Sequence, residues 1–282
     1  MKKKKAWKST FYQLLEKGRD SMKQLYKATL YRMYKTKGVR IAVALTYLAA
    51  IGYYMLASMV AQGDMGIDMS GNITGLADAM IIWLFGSLIV GILVGDDFEN
   101  KTIHSSIGYG RKKVVTSYIL VYITMMIVLL LPYLIGSVVL IAAGKDMSGA
   151  QTTAVTVFMD NAIKYNSETS IWKLILSYLS HIAVTISQIS ICIVVAMKVK
   201  KTVAVTAFGF IFGMFTALIS ALVSEVKILD NIYKLTPYNY GISRLGLNAD
   251  MIDMCAGIGV SVVFIFICGM IGWLIFKKAD IK

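Results

Sequence analysis

Charged residues are scarce in this chain, at 16% of 282 positions, where a soluble domain carries roughly a quarter. Proline occurs only at Pro132 and Pro237, so long helices face few built-in breaks. Cysteine occurs three times, at Cys192, Cys255 and Cys268, with no CxxC pair. That odd number, in or beside apolar segments, argues against a disulfide framework and for small buried hydrophobes. The two histidines, His104 and His181, lie in unrelated segments and cannot form a multi-histidine zinc site within one chain. No G-x-x-x-x-G-K-[ST], H-E-x-x-H or G-x-S-x-G run occurs, and Gly108-Tyr109-Gly110 only starts a G-x-G-x-x-G, with Lys113 at its last position. The expectation is therefore no catalytic residue, no bound cofactor and no metal, and no enzyme activity in this chain. Asn72-Ile73-Thr74 reads as a chance sequon. Met1–Lys5 is basic, but no apolar core follows it directly, unlike a signal peptide.

Apolar residues, by contrast, make up 57% of the chain and gather in blocks long enough to cross a bilayer as helices, about 20 residues each. Six blocks predict six spans, at about 41–60, 79–95, 114–144, 174–197, 202–224 and 254–276. Pro132 lies in the third and predicts a kink or tilt there. The fold class is an all-α integral membrane protein, because lipid leaves backbone groups no partners outside their own helix. With the N-terminus inside, 23 of the 29 basic residues fall on the inner side and 6 on the outer, so both termini are expected in the cytoplasm. The net charge of +13 thus spreads along one membrane face, which suits lipid headgroups and not nucleic acid.

Residues 1–40 form a basic cytoplasmic segment ahead of a single transmembrane domain, 41–282. Within 7–38, Phe11, Leu14, Leu15, Met22, Leu25, Tyr26, Leu30, Met33 and Tyr34 recur at helical steps, with Lys8, Lys17, Lys23, Lys27 and Lys35 on the polar side. This pattern describes a helix lying in the membrane interface, or else one packed on another protein; Gly38 is the expected bend into the first span. Between the second and third spans, Asp96 and Glu99 have capping-box spacing, three acids fill the first turn, and Gly108 and Gly110 follow. A helix of about ten residues, Phe98 to Ile107, is expected there, with a polar connector as the alternative. In the fourth span Ser177, His181, Thr185, Gln188 and Cys192 share one face; it either binds neighbouring helices or lines a pathway for a substrate or proton. Gly91-xxx-Gly95 and Gly209-xxx-Gly213 have the spacing of close helix crossings. Lys145–Lys173 has mixed polarity without an assignable structure, whereas Ile228, Leu229, Ile232, Tyr233 and Leu235, followed by Pro237, read as a short helix dipping into the outer leaflet.

This layout resembles the bacterial ABC-2-type (type V exporter) permeases, the membrane subunits of ATP-binding-cassette transporters. Glu99, Thr102, Gly108 and Arg111 follow the order of that family's acid–x–x–Gly–Thr stretch, small-residue turn and arginine. Asn100 or Lys101 stands where the family has glycine, and Tyr118 where a lysine often follows; Phe276 to Ile281 is similar to the family's short basic tail. The resemblance implies that the loop helix is a coupling helix, with Phe98, Glu99, Thr102, Ile103 and Arg111 against an ABC ATPase subunit that holds ATP and Mg. It further implies a second permease copy or paralogue and export of a small amphipathic substrate, a peptide or other toxin, across the cytoplasmic membrane. A channel or secondary transporter without an ATPase is the alternative.

Overall fold

A computed structural model describes residues 22–61, 78–144, 156–166, 169–223 and 227–278. Among them there are helices and turns and no strand. The chain opens with α1 (Met22–Lys35) and α2 (Lys37–Ala61). After them come α3 (Asp78–Val90), a π-helical turn (Gly91–Gly95), α4 (Asp96–Glu99), α5 (Ile103–Ile107) and α6 (Arg111–Ala142). Next are α7 (Val157–Lys164), α8 (Ile171–Ile189), α9 (Ile191–Val199) and α10 (Thr202–Val223). The chain closes with α11 (Lys227–Lys234), a 3₁₀ turn (Pro237–Asn239), α12 (Ile242–Leu245) and α13 (Met251–Lys278).

Five stretches are long and apolar enough to cross a membrane: Lys37–Leu56, Ala79–Glu99, Arg111–Ala142, Ile171–Val199 and Met251–Lys278. The fifth apolar block forms α10, whose described apolar run, Thr202–Thr216, is shorter. The most apolar windows of the second and fourth stretches are 61% and 56% buried, those of the first and last 28% and 22%. The former therefore make the centre of the bundle and the latter its rim. Leu48, Met55, Val262 and Phe266 stay exposed on that rim, as a lipid-facing surface requires.

α6 runs unbroken through Pro132. A proline has no N–H for the carbonyl four residues before it. Here that carbonyl is Val128's, and the Tyr47 hydroxyl of α2 lies 3.5 Å from it as a donor. One turn on, Tyr54 donates to the Tyr133 carbonyl at 2.5 Å. The first span thus supplies hydroxyls to the part of the third where proline thins out the backbone bonds.

The two glycine pairs lie on the same pair of crossing helices but face different residues of them. A Cβ on Gly91 or Gly95 would come within 2.8 or 2.7 Å of the Thr202 backbone, one on Gly213 within 2.6 Å of Trp83, and one on Gly209 would overlap Ser87. α10 therefore crosses the second span closely, backbone to backbone at Thr202 and backbone to side chain at Ser87 and Trp83, the approach that small residues at four-residue spacing permit.

Three expectations need correction. The bend between α1 and α2 falls at Thr36, not Gly38, which sits inside α2 facing Ile92. Asp96 caps nothing: Gly95 and Asp96 are both helical, so the second span runs on through the π turn to Glu99. The expected helix from Phe98 to Ile107 is two short helices, parted by a turn at 100–102 with Lys101 at φ +55°. Residues 7–21, including Phe11, Leu14 and Leu15, and the Asn72 sequon lie outside the described residues.

Candidate functional site at the loop between the second and third spans

The loop from Asp96 to Gly110 is anchored by Asp97, whose residue is 1% exposed. Its carboxylate forms an ion pair with Arg32 of α1, itself 4% exposed. Thr102 donates to Asp97 Oδ1 at 2.5 Å and Tyr118 to Oδ2 at 2.6 Å. Arg32 also donates to the Leu93 carbonyl at 3.1 Å. That carbonyl belongs to the π turn, where the wider winding disturbs the ordinary ladder of bonds. Every partner of the buried carboxylate is thus a donor, as burial of a charge demands. Burial pulls the Arg32 pKa below its ordinary value, while Tyr118 and Asp96 push it up; an arginine starts high enough to stay charged at neutral pH.

Around this anchor the loop is tied to three further elements. Glu99 Oε1 accepts the Thr202 N–H at 2.8 Å, so it caps the open start of α10 and places a negative charge at that helix's positive end. Thr202 in turn donates through Oγ1 to the Gly91 carbonyl at 3.2 Å. The Phe98 ring lies edge-on to Phe276 near the end of α13, with centroids 6.0 Å apart, and the Lys200 ammonium sits 5.1 Å from the Phe98 ring centroid. Arg111 donates to the Phe276 carbonyl at 3.3 Å and also to that of Lys277. Asp96 accepts from Asn100 at 2.5 Å.

The five residues assigned to coupling by resemblance therefore cluster, but in different roles. Phe98, Glu99 and Arg111 join the loop to α10 and α13, and Thr102 turns inward to Asp97. Ile103 is 1% exposed and packed in the core. Among the described side chains, the exposed positions of the loop are Glu99, Asn100, Lys101, His104, Gly108 and Gly110. No family model matches the chain, and no curated protein matches it either. The site rests on its own geometry.

Asp97, Arg32 and Tyr118 were not singled out as site residues from the sequence. The one signal was compositional: Arg32 is the arginine among the lysines of α1, and arginine suits buried carboxylate pairing better than lysine.

The polar face of the fourth span is divided among neighbours. Ser177, fully buried, donates to the Leu245 carbonyl and accepts from Asn161 of α7 at 2.7 Å. Gln188 donates to the Pro237 carbonyl at 3.0 Å, and Tyr238 donates back to the Gln188 carbonyl at 2.8 Å. Gln188 lies 17 residues after Ile171, roughly 26 Å along the helix at 1.5 Å per residue, so the segment after α11 reaches deep into the bundle. Thr185 and Cys192 are buried, and His181 packs edge-on to Phe158 at 4.7 Å, with no hydrogen-bond partner for its Nε2 among the described residues. These positions face three different partners and form no single lined site. Among the described residues no group of three or more His, Cys, Asp or Glu could hold a metal ion.

Proposed function

We propose that this chain is the permease subunit of an ABC exporter in a bacterial cytoplasmic membrane. In this reading it has six spans with both termini inside, and a separate ATPase subunit drives a small amphipathic substrate outward. The observation that carries the reading is the way the loop after the second span is fastened. It is continuous with the second span, opens the third through Arg111, caps the fifth through Glu99, meets the sixth through Phe98 and Arg111, and is locked to α1 by Asp97. A push on the outward side of such a loop is delivered to four spans and the amphipathic helix together, as a rigid-body switch requires. In this reading the loop is the coupling element, built from two short helices instead of one. The permease works as a dimer with a second copy or paralogue, and its lysine-rich inner face meets anionic lipid.

The test is capture of the full-length tagged protein in mild detergent, followed by assay of the captured material for ATP hydrolysis and identification of the chain responsible. A stoichiometric ATPase whose hydrolysis becomes uncoupled from transport in Glu99→Ala and Arg111→Ala is the expected result. Transport that persists after ATP depletion, in a preparation with no ATPase, would replace this reading with a channel or secondary transporter.

A further inference from the structure

The connection between α6 and α8 returns to the bundle as α7, at the end away from the Asp97 loop. Five of its eight residues are buried, Val157, Phe158, Met159, Asn161 and Ala162, and it packs on α6, α8 and α12. A helix this short is unstable by itself, so its seat holds it. That seat is polar. Ser137 of α6 donates to the Phe158 carbonyl at 2.7 Å and accepts from Tyr178 of α8. Ser177 accepts from Asn161 at 2.7 Å. Tyr178 and His181 lie against the Phe158 ring, with centroids 5.4 and 4.7 Å away.

Two features set α7 apart from an ordinary core helix. The first is that one side chain latches it. Asn161 donates its amide to Ser177 and accepts the Leu247 N–H at 3.1 Å, and Ser177 passes its own proton to the Leu245 carbonyl. The chain after α6 is thereby tied to the chain after α10 inside the bundle. The second is that the fit is incomplete. Asp160 Oδ2 and His181 Nε2 are buried with no hydrogen-bond partner among the described residues. Each is a standing cost that contact with water relieves, and water can also replace each bond that α7 makes to the seat. The apolar burial that holds α7 in place is therefore opposed by polar groups on both sides of the contact, as an element with two accessible positions requires.

We propose that α7 is a lid latched by Asn161, and that its lifting opens a hydrated mouth lined by Ser137, Ser177, Tyr178 and His181. The structure shows the lid closed, with these four groups turned to α7 or to one another. In the topology proposed above the mouth faces outward; the lid needs neither that topology nor an ATPase.

The test uses the full-length protein in nanodiscs, which leave both faces open to solution. The chain carries His181→Cys in a Cys255→Ser background and is treated with a charged, membrane-impermeant methanethiosulfonate. Mass spectrometry of the digested chain follows labelling at position 181 and at native Cys192, which is buried beside the Gly209 crossing. Adding Asn161→Ala is expected to speed labelling at position 181 at least about tenfold and to leave Cys192 as it was. Adding Gly209→Ala, which strains the bundle elsewhere, is expected to change the rate at position 181 by less than about twofold. Where Asn161→Ala yields no folded protein by gel filtration, Ser177→Ala, which removes one bond of the same amide, decides by the same readout, with a rise of about threefold expected. An unchanged rate at position 181 overturns the inference. So does an equal rise at Cys192, or an equal effect of Gly209→Ala, since either marks general loosening of the bundle. None of these outcomes touches the ATPase-driven reading.

Discussion

The two ends of this helical bundle are tied in different chemistries. At one end of α6, Asp97 and Arg32 form a buried ion pair with Tyr118 and Thr102 completing the carboxylate's shell. At the other, Asn161 joins α7, the fourth span and the chain after α12 through neutral groups: it donates to Ser177 at 2.7 Å and accepts the Leu247 N–H at 3.1 Å. Both hubs are buried, and each binds three segments distant in sequence. The neutral hub can lose one bond and keep the rest. The charged hub is all or nothing, because a lone buried charge costs far more than a lost hydrogen bond. The charged tie therefore fixes the loop, α1 and α6 to one another.

Several substitutions would break or sharpen that contrast. The largest effect is expected for Asp97→Ala, which strands Arg32: a loss of about 3–5 kcal/mol, read by thermal or denaturant unfolding in detergent. The double change Asp97→Leu with Arg32→Met should recover most of it, since apolar residues of similar volume often replace a buried pair at little cost. If the double variant recovers stability but not ATPase coupling, the ion pair serves the loop's orientation more than its stability. Asn161→Ala at the neutral hub should cost less, about 1–3 kcal/mol, by the same measurement. Gly209→Ala tests the close crossing of α10 and α3; overlap with the Ser87 side chain should cost about 1–3 kcal/mol, and Ser87→Gly in the same chain should restore part of it. The smallest effect is expected for Gln188→Leu, about 1 kcal/mol, because the Tyr238 hydroxyl still bonds the backbone carbonyl of residue 188.

The long elements were legible because their signal is local. Each apolar block became helical within a few residues of its expected ends, Ile41–Val60 as Lys37–Ala61 and Met254–Phe276 as Met251–Lys278, the second and fourth in more than one segment. The glycine spacings pointed to close crossings, but not to Thr202, Ser87 and Trp83 as the residues met there, since nothing in a four-residue step names its partner. The π turn at Gly91–Gly95 hid the continuity of the second span, so Asp96, Asp97 and Glu99 read as the acids of a new helix start. In space each has its own partner, and those partners lie at Asn100, Arg32 and Thr202. Only the first is near in sequence. Tyr118, at first a departure from the resembled family's lysine, donates to the carboxylate that the site is built on.

The central claim of the proposed function is that the loop and the start of α10 move as one body when ATP acts on the proposed partner subunit. Spin labels at His104→Cys and Val203→Cys, in a Cys255→Ser background, report the distance between them; Val203 is 80% exposed and Cys255 is the exposed native cysteine. A second pair, His104→Cys with Ile252→Cys, spans the bundle to an exposed position at its other end. In the complex with the ATPase, adding ATP should leave the 104–203 distance unchanged and shift the 104–252 distance. A change in the 104–203 distance on adding ATP would contradict the claim.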